Sequence, residues 1–90
     1  MVKGQILLLL KTAAKGLKIP ENLVILAPSA DQKFGDFSSN VALQWAKNDS
    51  NTSKQSPLDI ANEILGKLPQ SDIIEKVTVT PPGFINFTIK

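Results

Sequence analysis

At 90 residues the chain has room for one domain, and an apolar content of 42% is that of a globular one. It contains neither cysteine nor histidine, which excludes disulfides and thiolate metal sites and removes the commonest general base and metal ligand together. Ten lysines face eight acids, with no arginine, and the resulting charge of +2 permits nucleic-acid binding without demanding it.

The chain opens on Met-Val-Lys-Gly-Gln-Ile-Leu-Leu-Leu-Leu-Lys, which has a signal peptide's flavour. Its apolar run covers only Ile6 to Leu10 before Lys11, and no small-residue cleavage site follows directly, so the segment reads as a helix. Without a secretion signal, the N-x-[ST] matches at Asn48, Asn51 and Asn86 carry no weight. Periodicity supports a helix over 2–17. Ile6, Leu9, Leu10, Ala13 and Leu17 fall on one stripe, Lys11, Thr12 and Lys15 lie opposite, and Leu8 sits out of place among the polar residues. Pro20 stops the pattern. No segment is long enough to span a membrane as a helix.

Leu23 to Ala27 is a short, β-branched apolar run between Pro20 and Pro28, which favours a buried strand. Asp31 to Phe34 reads as a short second strand running into a turn at Gly35-Asp36. Ser38 or Ser39 then suits a helix N-cap. The helix that follows, to about Lys47, puts Val41, Ala42, Trp45 and Ala46 on one face, which makes the single tryptophan a core anchor. Asn48 to Gln55 has no apolar side chain and reads as a mobile loop. Ser56-Pro57 opens the next helix, serine as cap and proline at the first helical position. Its buried face is Ile60, Ile64, Leu65 and Leu68.

The last twenty residues alternate. Ile73, Val77 and Val79 oppose Lys76, Thr78 and Thr80. After a turn at Pro81-Pro82-Gly83, Ile85, Phe87 and Ile89 point one way, and Phe84, Asn86, Thr88 and Lys90 the other. Two strands this close pair as a hairpin. The order α-β-β-α-α-β-β predicts a two-layer α+β fold, a small antiparallel sheet of about four strands with helices on one face.

The open face of that hairpin carries the candidate chemistry. Phe84 can stack on an unpaired base, Asn86 can read its edge, and Lys76, Thr78 and Lys90 can meet the backbone around it. The alternation alone leaves a second reading open, in which Phe84 packs under a loop or on the first helix and Asn86 caps a strand end.

Two stretches resemble the N-terminal domain of arginyl-tRNA synthetases. Gly35-Asp36-Phe37-Ser38-Ser39-Asn40-Val41-Ala42-Leu43-Gln44-Trp45-Ala46-Lys47 is similar to that family's G-D-[YF]-S-[ST]-N-x-A-x-x-L-A-K pattern, and Pro82-Gly83-Phe84-Ile85-Asn86-Phe87 to its G-F-I-N-F pattern. Between them, Ser56-Pro57-Leu58-Asp59-Ile60-Ala61-Asn62-Glu63-Ile64 resembles its N-P-R-x-[IV]-A-x-x-I helix. Together they cover the chain from about Leu23 to Ile89. Trp45 stands where the family has leucine, and Ser56 and Leu58 stand for asparagine and arginine, which removes one cation available to a phosphate.

The resemblance implies a domain that holds the outer corner of tRNA(Arg), where the D-loop lies, beside the catalytic domain of a longer enzyme. Phe84 and Asn86 would then contact an unstacked D-loop base. Gly35, Asp36 and Ser38 are expected to be structural, with glycine permitting the turn and aspartate bonding its own backbone. Asn40 is grouped with them, although both a structural and a functional reading stay open. Catalysis lies elsewhere in such class I synthetases: the H-I-G-H-like and K-M-S-K-S-like motifs of the ATP site are missing from these residues. The resemblance thus implies a fragment without cofactor, metal or catalytic site, monomeric and cytoplasmic, with ATP used by the parent enzyme. The alternative is a protein-interaction module, supported by Leu8 and the modest charge, whose binding would be insensitive to salt where tRNA binding would not.

Overall fold

A computed structural model of the chain describes residues 2–29, 35–48 and 55–90. The second strand expected over 31–34, and all of the 48–55 loop except its two ends, lie outside the described residues. Helix α1 spans Val2–Gly16, α2 Val41–Lys47 and α3 Pro57–Lys67; the strands are β1 Ala27–Pro28, β2 Phe37–Ser39, β3 Ile74–Thr80 and β4 Phe84–Ile89. The strands form one antiparallel sheet in the order β1-β2-β4-β3. The α+β class and the element order are therefore those read from the pattern.

Each helix takes its place from an apolar stripe. On α1, Ile6, Leu10, Ala13 and Ala14 are buried, and Leu7 and, just past the helix, Leu17 pack against them. Leu9 is only half-buried, so the stripe is turned slightly from the one that spacing suggests. Leu8 is 66% exposed. The helix ends before Pro20: Lys18 takes a left-handed φ of 62°, and the Ile19 N–H returns to the Ala14 carbonyl at 3.0 Å. Val41, Ala42 and Trp45 of α2 and Ile60, Ala61 and Ile64 of α3 complete the helical layer, and it closes over Ile85 and Phe87 of the central strand β4.

α3 starts as its sequence dictates. The Ser56 hydroxyl accepts the Asp59 N–H at 3.2 Å, with Pro57 in the first turn. Ser56→Ala is expected to cost about 1 kcal/mol in denaturant unfolding, the usual loss for an N-cap. An unchanged midpoint would mean the cap bond contributes nothing.

Two local expectations need correction. The run Leu23 to Ala27 is not a buried strand. Glu21–Leu23 forms a single 3-10 turn, Val24 and Leu26 are buried, Ile25 is 53% exposed, and only Ala27 and Pro28 enter the sheet. The register explains this. Ala27 faces Ser38, so Ile25 and Val24 would need Asn40 and Val41 as partners, and the chain turns into α2 there. The second correction is that Ser38 and Ser39 lie in a strand rather than at a cap. Asn40 is the N-cap residue of α2, although the Ser39 hydroxyl does accept the Val41 N–H at 3.2 Å.

Candidate functional site

Register defines the sheet face turned away from the helices. Ser38 lies opposite Asn86, and Asn86 opposite Thr78; Phe84 lies opposite Thr80, and Thr88 opposite Lys76. Residues directly opposed across strands share a face. Phe84, Asn86, Lys76 and Thr78 therefore stand on one surface, as alternation implies, and a bulge between Ile74 and Lys76 resets the pairing at its far end.

Their environments differ. Phe84 is 37% exposed, one of the few large apolar residues on the surface. Asn86 is not open to solvent: it is 4% exposed, flanked by strands on both sides, and its Nδ2 donates to the Thr80 hydroxyl. Its Oδ1 has no hydrogen bond to a described residue. Lys76 and Lys90 stand at the other end, about 13 Å or more along the strand from Phe84 at 3.3 Å per residue. Both line a groove of about 670 Å³ that also contains Asp72 and Glu75. The site residues thus divide into an aromatic end and a mixed-charge end.

Beside Phe84 lies a small concavity of about 190 Å³, lined by Ile25, Ala27, Ser38, Asn40 and Phe84. Ile25 was not singled out by sequence. The signal was in the run itself: with Val24 and Leu26 inward, the residue between them must point out.

The turn before β2 holds this face in place. Gly35 has φ 112°, and a Cβ there would stand 2.7 Å from the Phe87 carbonyl oxygen. Turn chemistry predicts that Asp36 bonds its own backbone, but the bonds seen run to other segments. Its Oδ2 accepts the Ile89 N–H at 2.8 Å, its N–H donates to the Phe87 carbonyl at 2.8 Å, and its carbonyl accepts from Ser29 at 3.0 Å. The carboxylate reaches across to β4 because β2 runs beside it, so one residue ties three segments together.

A two-layer α+β domain with an aromatic, amide-lined recess on its open sheet face is the class this geometry defines. The chain belongs to the family described as the arginyl tRNA synthetase N terminal domain, which it matches over residues 4–89. It is 40% identical over 82 residues to an arginine–tRNA ligase from Picosynechococcus sp., covering 91% of this chain and 13% of that protein. It is 37% identical over 90 residues to one from Dechloromonas aromatica, covering 98% of this chain and 15% of that protein. The chain therefore spans about one seventh of the length of these relatives. The arginyl-tRNA synthetase of Thermus thermophilus shares its fold, with TM-score 0.80 and 22% identity over 100% of this chain and 14% of that one. That of Plasmodium falciparum does too, with TM-score 0.80 and 18% identity over 99% of this chain and 16% of that one.

Proposed function

We propose that this chain is the part of an arginyl-tRNA synthetase that grips the outer corner of tRNA(Arg) at the D-loop, in support of ATP-dependent arginine attachment by the class I catalytic domain of the longer protein. The observation that carries the reading is Phe84, a half-exposed aromatic on the open sheet face of a chain in this family. An unpaired base can stack on it. Asn86, its amide nitrogen held by Thr80, keeps a carbonyl oxygen for the base edge. Thr78 lies alongside, and Lys76 and Lys90 supply charge to the sugar-phosphate backbone farther along the strand. The chain itself contributes binding and orientation, with no cofactor or metal of its own.

A protein-docking role has one observation in its favour, the 66% exposed Leu8 on α1. That residue belongs to the helical layer, away from the aromatic recess, so the two surfaces can be tested separately.

In the full-length enzyme, Phe84→Ala should remove about 1–3 kcal/mol of base stacking, a loss of roughly 5- to 150-fold in kcat/KM for tRNA(Arg) with arginine activation unchanged. The residue is exposed enough that the melting temperature should move little. A folded variant charging tRNA at wild-type efficiency would mean that Phe84 is surface packing. Leu8→Ala, by contrast, should leave charging unaffected.

A further inference from the structure

We propose that Asn40 is a base-reading residue: its side-chain amide, together with the Ser38 hydroxyl, hydrogen-bonds the edge of an unstacked RNA base held between Ile25 and Phe84. This rests on the tRNA-binding role proposed above and adds a recognition element on β2 and the start of α2 to the one on β4.

Asn40 occupies the N-cap position of α2, where asparagine ordinarily turns its side-chain oxygen onto a helix N–H. Here it does not. No side-chain cap bond forms, and the Ser39 hydroxyl serves the Val41 N–H instead. The backbone carbonyl of Asn40 still accepts the Gln44 N–H at 3.0 Å, so α2 is begun without help from the Asn40 amide. Asn40 is half-buried and lines the recess, and its side chain makes no hydrogen bond with any described residue. The same holds for the Ser38 hydroxyl. Polar groups that are partly withdrawn from water and left unpaired gain most from a ligand that pairs them.

The rest of the recess fits one chemistry. Ile25, 53% exposed, and Phe84, 37% exposed, supply apolar surfaces on its rim, and Ala27 contributes no bulk. At about 190 Å³ it falls below the roughly 300–1,000 Å³ of sites for drug-sized ligands, so it suits a single planar group. An asparagine amide presents a donor and an acceptor side by side, the arrangement that pairs with a base edge. An aromatic wall with an adjacent amide is how single-stranded bases are held.

The test uses the full-length enzyme and tRNA(Arg) transcripts carrying A, C, G or U in turn at each unpaired D-loop position. Serine and aspartate are both good N-cap residues, so Asn40→Ser and Asn40→Asp should leave α2 intact, which circular dichroism and melting verify. Asn40→Ser should flatten the preference among bases at one position by about 2- to 10-fold, the equivalent of one hydrogen bond. Asn40→Asp, having lost its donors, should shift the preference toward bases whose edge carries an exocyclic amine, A, C or G, and against U. If Phe84→Ala loses charging while both Asn40 variants keep the wild-type base preference, the recess is not the base site and this inference fails, with the RNA-binding face intact. If Phe84→Ala and the Asn40 variants are all wild-type, both readings fail together.

Discussion

Phe87→Ala is expected to cost about 3–5 kcal/mol, enough to leave much of the population unfolded. Phe87 is fully buried in the central strand, opposite Phe37 on one side and Val77 on the other, beneath a helical layer that contacts β4 through α2 and α3. Its removal leaves a cavity in the middle of the only hydrophobic cluster among the described residues. The surrounding strands are tied to each other by ladder bonds and cannot collapse far into that space, so the loss should fall high in the range. Small domains hold about 5–15 kcal/mol in total, so the variant should melt far below the wild type or not fold at all at 37 °C. Ile85→Ala, on the same face and equally buried, should follow at about 2–5 kcal/mol. Phe84→Ala, one residue away on the other face, should stay within about 0.5 kcal/mol of wild type. Urea unfolding of the three variants side by side is the measurement. Equal stability of Phe84→Ala and Phe87→Ala would overturn the assignment of faces.

That contrast shows how far the sequence could be read. The alternation of β4 was legible because one face of the sheet is buried, so strict period-two patterning reports sidedness directly. It could not report exposure. Asn86 belongs to the outward set, yet neighbours on both flanks and the bond to Thr80 leave it 4% exposed. The Leu23 to Ala27 run misled for a related reason. Its apolar density matches a strand, but a strand needs a partner, and whether Ile25 has one depends on α2 beginning at Val41, a distant event in register terms. Caps with local chemistry were readable, as Ser56 and Pro57 were. Asn40 was not, because the cap position carries no side-chain cap bond while the Ser39 hydroxyl, still within the strand, accepts the Val41 N–H, and only the folded chain reveals that division between two adjacent polar residues. The contact of Gly83 with Pro57, where a Cβ would stand 2.7 Å from the Pro57 Cβ, joins a hairpin turn to a helix start, and no local pattern announces it.

Gly35→Ala should also be strongly destabilising, with a cost of about 2–6 kcal/mol in two parts. The first is conformational. At φ 112° the backbone lies where residues with a Cβ are strained, worth about 1–3 kcal/mol. The second is steric. The new methyl would sit 2.7 Å from the Phe87 carbonyl oxygen and 3.1 Å from its carbon, both backbone atoms of the central strand, with Thr88 Oγ1 at 3.2 Å. Backbone held in a ladder cannot swing aside as a side chain can, so β4 or the turn must move, at a further cost of about 1–3 kcal/mol. The motion would be felt at Asp36. Its N–H bond to Phe87 and its carboxylate bond to Ile89 both depend on the turn lying flush against β4. Loosening them should displace β2, and with it Ser38 and Asn40 in the recess beside Phe84. Gly66→Ala provides the control: Gly66 lies within α3, and a methyl added there would meet nothing within 4 Å, so the same substitution should stabilise by about 0.5–1 kcal/mol. Urea midpoints of the two variants should therefore move in opposite directions, and amide exchange at Ile89 should accelerate in Gly35→Ala alone. A Gly35→Ala protein with wild-type stability and an equally protected Ile89 amide would show that the turn is not pressed against β4.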